Sequence, residues 1–229
     1  MKFEMPVDAA DGERIQRELH EHLILPTESS APPKTVTGLD ISYEIGSERA
    51  VAAAVTIDVT TRAVREVAVA EGKVLFPYVP GLLAFREIPL LLEAIGRLTA
   101  EPEVLVCDGY GIAHPRRFGL ACHLGVLLDR PAFGVAKTSF IGTGDDPAPA
   151  RGEWSALSDG GEVIGRSVRT RTGVKPVFVS AGHRISLADA TELAVALSGR
   201  YRIPEPTRQA DIISRQVLRG EPFPSWQRG

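Results

Sequence analysis

Cysteine is almost absent from this chain: only Cys107 and Cys122 occur in 229 residues. Two thiols in apolar surroundings do not make a disulfide framework, and reduced, buried side chains in a cytosolic protein are the expectation. Lysine is scarce too, at Lys2, Lys34, Lys73, Lys137 and Lys175, which leaves arginine as the main cation. No apolar run approaches the ~18 residues that a membrane span needs. The start, MKFEMPVDAADGER, turns acidic where an export signal needs an apolar stretch, and this points to a cytoplasmic location. A basic excess is also missing. The net charge is −3, whereas a protein held on nucleic acid by charge alone is usually basic. A nucleic-acid role would therefore need a local patch, or metal ions that offset clustered carboxylates.

What is present is a globular balance, with 44% hydrophobic and 24% charged residues. The length fits one domain over residues 1–229, without repeat or linker, and with no oligomer seam to suggest more than a monomer. Asp8 or Asp11 can cap an amphipathic helix running to about Leu25, with Ile15, Leu19 and Leu23 on one face. TVTGLDISYEI, RAVAAAVTIDVTT and AVREVAVAEGK then read as three strands spaced for an antiparallel meander. A helix follows over 81–98, with Pro89 inside it. EVLVCDG and PAFGVAK are short apolar runs of the kind found in buried parallel strands, and RRFGLACHLGVLLD is a helix between them. GTGDDPAPARGEW reads as a surface loop ahead of a hairpin formed by EVIGRSVRTRT. PVFVSAG is a further strand, SLADATELAVALSG a helix capped by Ser186, and PTRQADIISRQVL a last helix before a loose tail, EPFPSWQRG. Strands in a meander followed by alternating helices and strands predict a mixed α/β sheet with helices on both faces.

Three carboxylates stand out by position. Asp40 lies mid-strand in GLDISY, Asp108 ends EVLVCD at a strand carboxyl end, and Glu87 follows the stiff loop FPYVP on the next helix. A single strand-end acid of this kind is more often a structural or turn residue than a catalytic one. Should they converge, their repulsion calls for a hard divalent cation with oxygen ligands. Magnesium, with manganese as a substitute, then fits better than zinc, since no His/Cys cluster has zinc spacing. Asp211 on the last helix is a fourth candidate. GVAKTS lacks the glycine that a phosphate-binding loop needs directly before its lysine, and no serine has a legible His-plus-acid pairing.

With these acids, the proline loop and Lys137 together, the chain resembles the endonuclease V family of deoxyinosine 3′-endonucleases. The matching segments are GLDISY, FPYVPGLLAFRE, CDGYGIAHPRRFGLACHLGV, GVAKTSF, PVFVSAGHRISL and YRIPEPTRQAD, in the family's order over about residues 8–218. The resemblance implies a ribonuclease H-like fold. It implies Asp40, Glu87, Asp108 and Asp211 as metal ligands and Lys137 beside the scissile phosphate. It likewise implies Tyr78, Val79 and Pro80 as a wedge entering the duplex, and a tight pocket for the flipped base. Gly81, Gly109, Gly111 and Gly119 would let main chain approach that base, with Leu83 and Leu120 as apolar walls. His114, Arg116 and Arg117, and His183 with Arg184, would lie near phosphate or behind it. The expected activity is magnesium-dependent cleavage of the second phosphodiester bond 3′ to deoxyinosine in DNA, leaving 3′-hydroxyl and 5′-phosphate ends, with inosine-containing RNA as a further substrate. Tyr110, between the glycines of DGYG where many relatives carry a polar His or Gln, bears on substrate choice. Two alternatives stay open: a binding module without catalysis, and a nuclease of the same fold that does not read inosine.

Overall fold

The computed structural model describes residues 1–222. Strands β1 (Thr35–Tyr43), β2 (Arg49–Asp58) and β3 (Val64–Lys73) form an antiparallel meander. β4 (Leu105–Asp108) pairs in parallel with β1, and β5 (Ala132–Ala136) in parallel with β4. A second meander follows, made of β6 (Trp154–Asp159), β7 (Glu162–Val168) and β8 (Val177–His183), and it joins the sheet through β8, antiparallel to β5. The eight strands thus lie in the order β3-β2-β1-β4-β5-β8-β7-β6.

Among the described residues, five helices cover the two faces. α2 (Leu83–Gly96) and α3 (Leu120–Leu128) lie on one, with α1 (Ala9–His20) packed outside them. α4 (Leu187–Leu197) and α5 (Glu205–Leu218) lie on the other. Alternation in β2 serves both faces at once. Ala50, Ala52 and Ala54 are small enough to let Ile88 and Leu91 of α2 seat closely, while Ala53, Val55 and Ile57 meet Ala210 and Ile213 of α5. α5 approaches β1 more closely still. A Cβ added to Gly38 would fall 2.1 Å from the carbonyl carbon of Pro206, so only glycine permits this crossing. Asp8 caps α1 by accepting from the Asp11 amide, and Ser186 caps α4 by accepting from the Asp189 amide.

The boundaries differ from the sequence reading in specific ways. α1 ends at His20, and Leu23 beyond it packs beside Phe118 and Cys122. α2 starts at Leu83 and continues through Pro89, which removes one backbone donor without ending the helix. α3 starts only at Leu120, because Pro115 and the positive φ of Arg117 hold the preceding segment in a loop. The hairpin expected within 162–172 is formed instead by β6 and β7 around Gly160 and Gly161, both at positive φ. The tail beyond residue 222 lies outside the described residues. No described helix is long and apolar enough to cross a membrane.

Candidate active site

β1, β4 and β5 run the same way and end together: Leu39 pairs with Cys107, and Asp108 with Val135. The carboxyl ends of these strands therefore form one rim. On β1, Gly38 backs onto Pro206 and Ser42 Oγ lies 2.8 Å from Ser214 Oγ, so Asp40 between them faces α5 and Asp211. Asp108 ends the neighbouring strand, and Lys137 follows β5 and donates from Nζ to Asp108 Oδ2 at 2.5 Å. An open groove of about 450 Å³ gathers Asp40, Asp108, Lys137 and Asp211 with Tyr43 and Arg215. Glu87 enters from α2 and is buried, accepting a 2.8 Å bond from the Tyr43 hydroxyl.

The electrostatics show how close this set is. Asp40 is held well above the carboxylate range, first by burial and then by the charges of Asp108, Asp211 and Glu87. Burial pushes Glu87 up to about 8, the Tyr43 bond opposing and Asp108 adding to it. Burial and the adjoining Glu87 charge also push the Tyr43 hydroxyl up, so it stays a donor. Burial works against the Lys137 charge, but the bond to Asp108 and the charges of Asp40 and Asp211 outweigh it. Lys137 is the amine counter-charge to three of the acids, Asp108, Asp40 and Asp211. No three of the four acids close into a ready-made metal shell among the described residues. The reason is visible in their partners. Glu87 is tied to Tyr43, Asp108 to Lys137, and Asp211 to Arg215 at 2.8 Å. The donor chemistry, oxygen only and under mutual repulsion, fits a hard divalent cation.

A second cavity, of about 140 Å³, shares the Asp108–Gly109 turn with the groove but is walled from the α1, α2 and α3 side of the sheet. Tyr78, Pro80, Gly81, Leu83, Gly109, His114, Gly119 and Leu120 line it, as do Gln16, Ala84, Tyr110 and Phe140. Tyr110 and Phe140 face each other with ring centroids 5.4 Å apart, and the Tyr110 hydroxyl donates to the Thr138 carbonyl at 3.0 Å. Tyr78 stands 69% exposed at the mouth. Beneath it, the Gly81 carbonyl accepts from Gln16 Nε2, His114 Nε2 and Arg116 Nη2 at 3.0, 3.0 and 2.8 Å. His114 Nδ1 accepts from the Arg116 amide, so the proton sits on Nε2. Burial, with the charges of Arg116 and Arg117, lowers this imidazole to about 4 and keeps it neutral.

Some residues named from the sequence sit elsewhere. Val79 turns inward onto Ile15, Phe76, Leu82 and Phe85, which leaves Tyr78 as the tip of the loop, with Leu75 exposed before it. Gly111 lies behind the cavity, its Cα so close to the Ala181 carbonyl on β8 that a Cβ would fall 2.0 Å from the oxygen. His183 is buried and remote from both cavities, accepting from the Ile24 amide and facing Asp129 at 3.3 Å. Arg116 and Arg117 are spent internally, on Gln16, Glu13 and Gly81, and on Asp159 and Glu162. Gln16 and Phe140 were not legible as site residues. Gln16 comes from a helix 65 residues before Gly81, and Phe140 follows β5 in an irregular segment without periodicity.

The mixed sheet, with Asp40 and Asp108 on its central strands beside an amine and an aromatic-walled cavity, has a ribonuclease H-like fold. Comparison with known proteins names the family. The Endonuclease V family profile matches residues 17–212. Endonuclease V of Streptomyces coelicolor is 51% identical over 216 residues, 93% of this chain and 92% of that protein. The crystal structure of the Streptomyces avermitilis protein has a TM-score of 0.90 at 49% identity, covering 94% of this chain and 95% of that one. Ciona intestinalis Endonuclease V, in complex with a 24mer DNA containing an inosine followed by a ribo-adenosine, has a TM-score of 0.81 at 31% identity, covering 92% and 98%. This chain belongs to the endonuclease V family, hydrolases that cut phosphodiester bonds within nucleic acid.

Proposed function

We propose that this protein is a magnesium-dependent endonuclease that cuts the second phosphodiester bond 3′ to deoxyinosine in DNA, leaving 3′-hydroxyl and 5′-phosphate ends. The observation that carries the reading is the shared Asp108–Gly109 turn, which joins a 140 Å³ aromatic-walled cavity to the acidic groove. A flipped purine in the first places the strand beyond it across the second. Because the cavity is walled from one face of the sheet and the groove opens toward the other, the bond cut is displaced from the base that is read.

Asp40, Glu87, Asp108 and Asp211 would hold the divalent cation, with Mn²⁺ able to replace Mg²⁺. When bound, such a cation lowers the pKa of a coordinated water and offsets charge on the phosphate. Lys137 supplies a fixed positive charge at the scissile phosphate as the leaving oxygen develops its own. Tyr43 holds Glu87 in one orientation through its hydroxyl. Tyr78 fills the gap in the stack that the flipped base vacates, and a loop stiffened by Pro77 and Pro80 keeps the ordering cost small. Neutral His114 and Gln16 fix the Gly81 carbonyl, and with it the floor of the base site.

The test is one labelled strand carrying a single deoxyinosine, with an undamaged twin, in magnesium and in EDTA. A magnesium-dependent nick one nucleotide beyond the inosine, absent from the twin, is the expected result. Equal cutting of the twin would reduce the protein to a nuclease that does not read inosine. The ribo-adenosine in the Ciona complex gives reason to run an inosine-containing RNA beside the DNA.

A further inference from the structure

The arginines of this chain are mostly matched. Arg14, Arg49, Arg65, Arg97, Arg117 and Arg130 each contact a carboxylate within 4 Å. Among the described residues, Lys2, Lys34, Arg62 and Arg151 are exposed and contact no carboxylate, but three further such cations gather beside the groove. Arg171, Lys175 and Arg200 likewise contact no carboxylate among the described residues, and all three are exposed. They lie on two neighbouring loops, before β8 and between α4 and α5. Arg171 Nη1 donates to the Arg200 carbonyl at 3.1 Å, and Thr170 Oγ1 to the Arg202 carbonyl at 2.6 Å. Arg202 joins these loops to the groove, because its Nη2 donates at 2.7 Å both to the Lys137 carbonyl and to that of Pro176, next to Lys175. The cations therefore form a strip that starts at Lys137 and runs outward over the α4 and α5 side.

An aromatic ring lies within the strip. Tyr201 is 42% exposed, with the Arg208 guanidinium 4.1 Å and that of Arg200 5.9 Å from its ring centre. Glu205, the adjoining acid, is occupied by Arg208 and Gln209. Exposed cations around an exposed aromatic, in a chain of net charge −3, form a surface suited to a single-stranded polyanion whose bases can stack.

We infer that Arg171, Lys175, Arg200 and Tyr201 bind the nucleic-acid strand on the 3′ side of the scissile bond, the part that leaves with the 5′-phosphate. This rests on the function proposed above, and the direction follows from the geometry. The base cavity opens from the α1, α2 and α3 side, and the cut lies 3′ of the base it holds. A strand passing from that cavity over Asp108 and Lys137 reaches the strip only with its 3′ portion. The cations carry the phosphates, and Tyr201 stacks against one base beyond the cut.

The experiment compares the wild type with R171A/K175A/R200A and with Y201A, on two inosine-containing single strands of equal 5′ length. One extends ten nucleotides or so beyond the cut, and the other stops about one nucleotide past it. Binding is followed by fluorescence anisotropy without divalent cation, cleavage in magnesium. On the long strand the triple variant should raise Kd and KM, and lower the slope of log Kd against log salt by about 2, near 0.7 for each lost phosphate contact on a single strand. Y201A should weaken binding about tenfold, the scale of one base–aromatic stack. On the short strand all three proteins should behave alike. R171K/R200K, which keeps the charges, should retain the wild-type slope, and matching melting temperatures would exclude a folding defect.

An unchanged slope on the long strand would overturn the inference, as would equal weakening on the short one. Should the wild type cut neither strand, the proposed function would fall, while the anisotropy comparison would still score the strip.

Discussion

The Lys137 ammonium donates to Asp108 Oδ2 across 2.5 Å, so the one amine at the groove is held by an acid from the neighbouring strand. Lys137 thereby neutralises an acid that a cation would otherwise claim, and under the proposed function a phosphate in the groove would meet both. Lys137→Ala should slow single-turnover cleavage by about 10²-fold or more, the scale of removing one charge-stabilising donor. Magnesium affinity, measured by calorimetry, should stay level or tighten, since Asp108 loses its competitor. Weakened magnesium binding in this variant would place the lysine's role in building the site instead of in the chemistry.

Glu87 makes a pH prediction with a definite sign. Its carboxyl ionises near 4.5 when unfolded and, held up by burial, at about 8 in the fold. Between those values the native chain keeps a proton that the unfolded chain has released, so metal-free stability falls as pH rises through that window. Glu87→Gln removes the ionisation and keeps an acceptor for the Tyr43 hydroxyl. In EDTA its melting temperature should match wild type near pH 5 and exceed it near pH 8.5. Parallel melting curves across the whole range would show that Glu87 is not a strained buried acid.

Tyr110 links the smaller cavity to the segment that carries Lys137. Its ring walls the 140 Å³ cavity, and its hydroxyl holds the carbonyl of Thr138, the residue after Lys137. Tyr110→Phe keeps the ring and cuts the tie, so kcat should drop about 2- to 10-fold, the equivalent of one ordinary hydrogen bond. KM for the inosine substrate should not move. A rise in KM with kcat intact would assign the hydroxyl to the base itself.

The crossing of α5 over β1 sets the spacing of Asp40 and Asp211. Gly38→Ala would drive a methyl to 2.1 Å from the Pro206 backbone, which cannot swing away as a side chain can. A loss of about 1–3 kcal/mol in urea unfolding is expected. Cleavage at saturating substrate should fall as well, because Asp211 shifts with the helix. An alanine variant with wild-type stability would mean that the two elements pack more loosely.

The acids were legible because strand alternation and strand ends mark positions directly: Asp40 between Leu39 and Ile41, Asp108 before a glycine. The loop at 77–80 was legible through its prolines. Which side chain of that loop points outward was not, since Val79 is turned in by a cluster that includes Ile15 from a distant helix. His183 had the composition of a phosphate ligand and the environment of a core residue, with its ring closed between Ile24 and Asp129. β6 escaped because WSALSD carries little apolar alternation, although the following glycine pair marked its turn. Long-range pairing decided each of these, and periodicity within one segment does not register it.

β8 is the strand that runs against its neighbour β5. Its reversal has a routing effect. A strand entered from the rim where β1, β4 and β5 end brings its preceding loop there, and the helix that returns from its far end delivers a second loop to the same rim. Were β8 parallel to β5, Arg171 and Lys175 would emerge on the opposite side of the molecule, and the segment 198–204 would leave with them. One change of strand direction thus brings two further chain segments to the rim, adding cationic loops to a set of strand ends already crowded with acids.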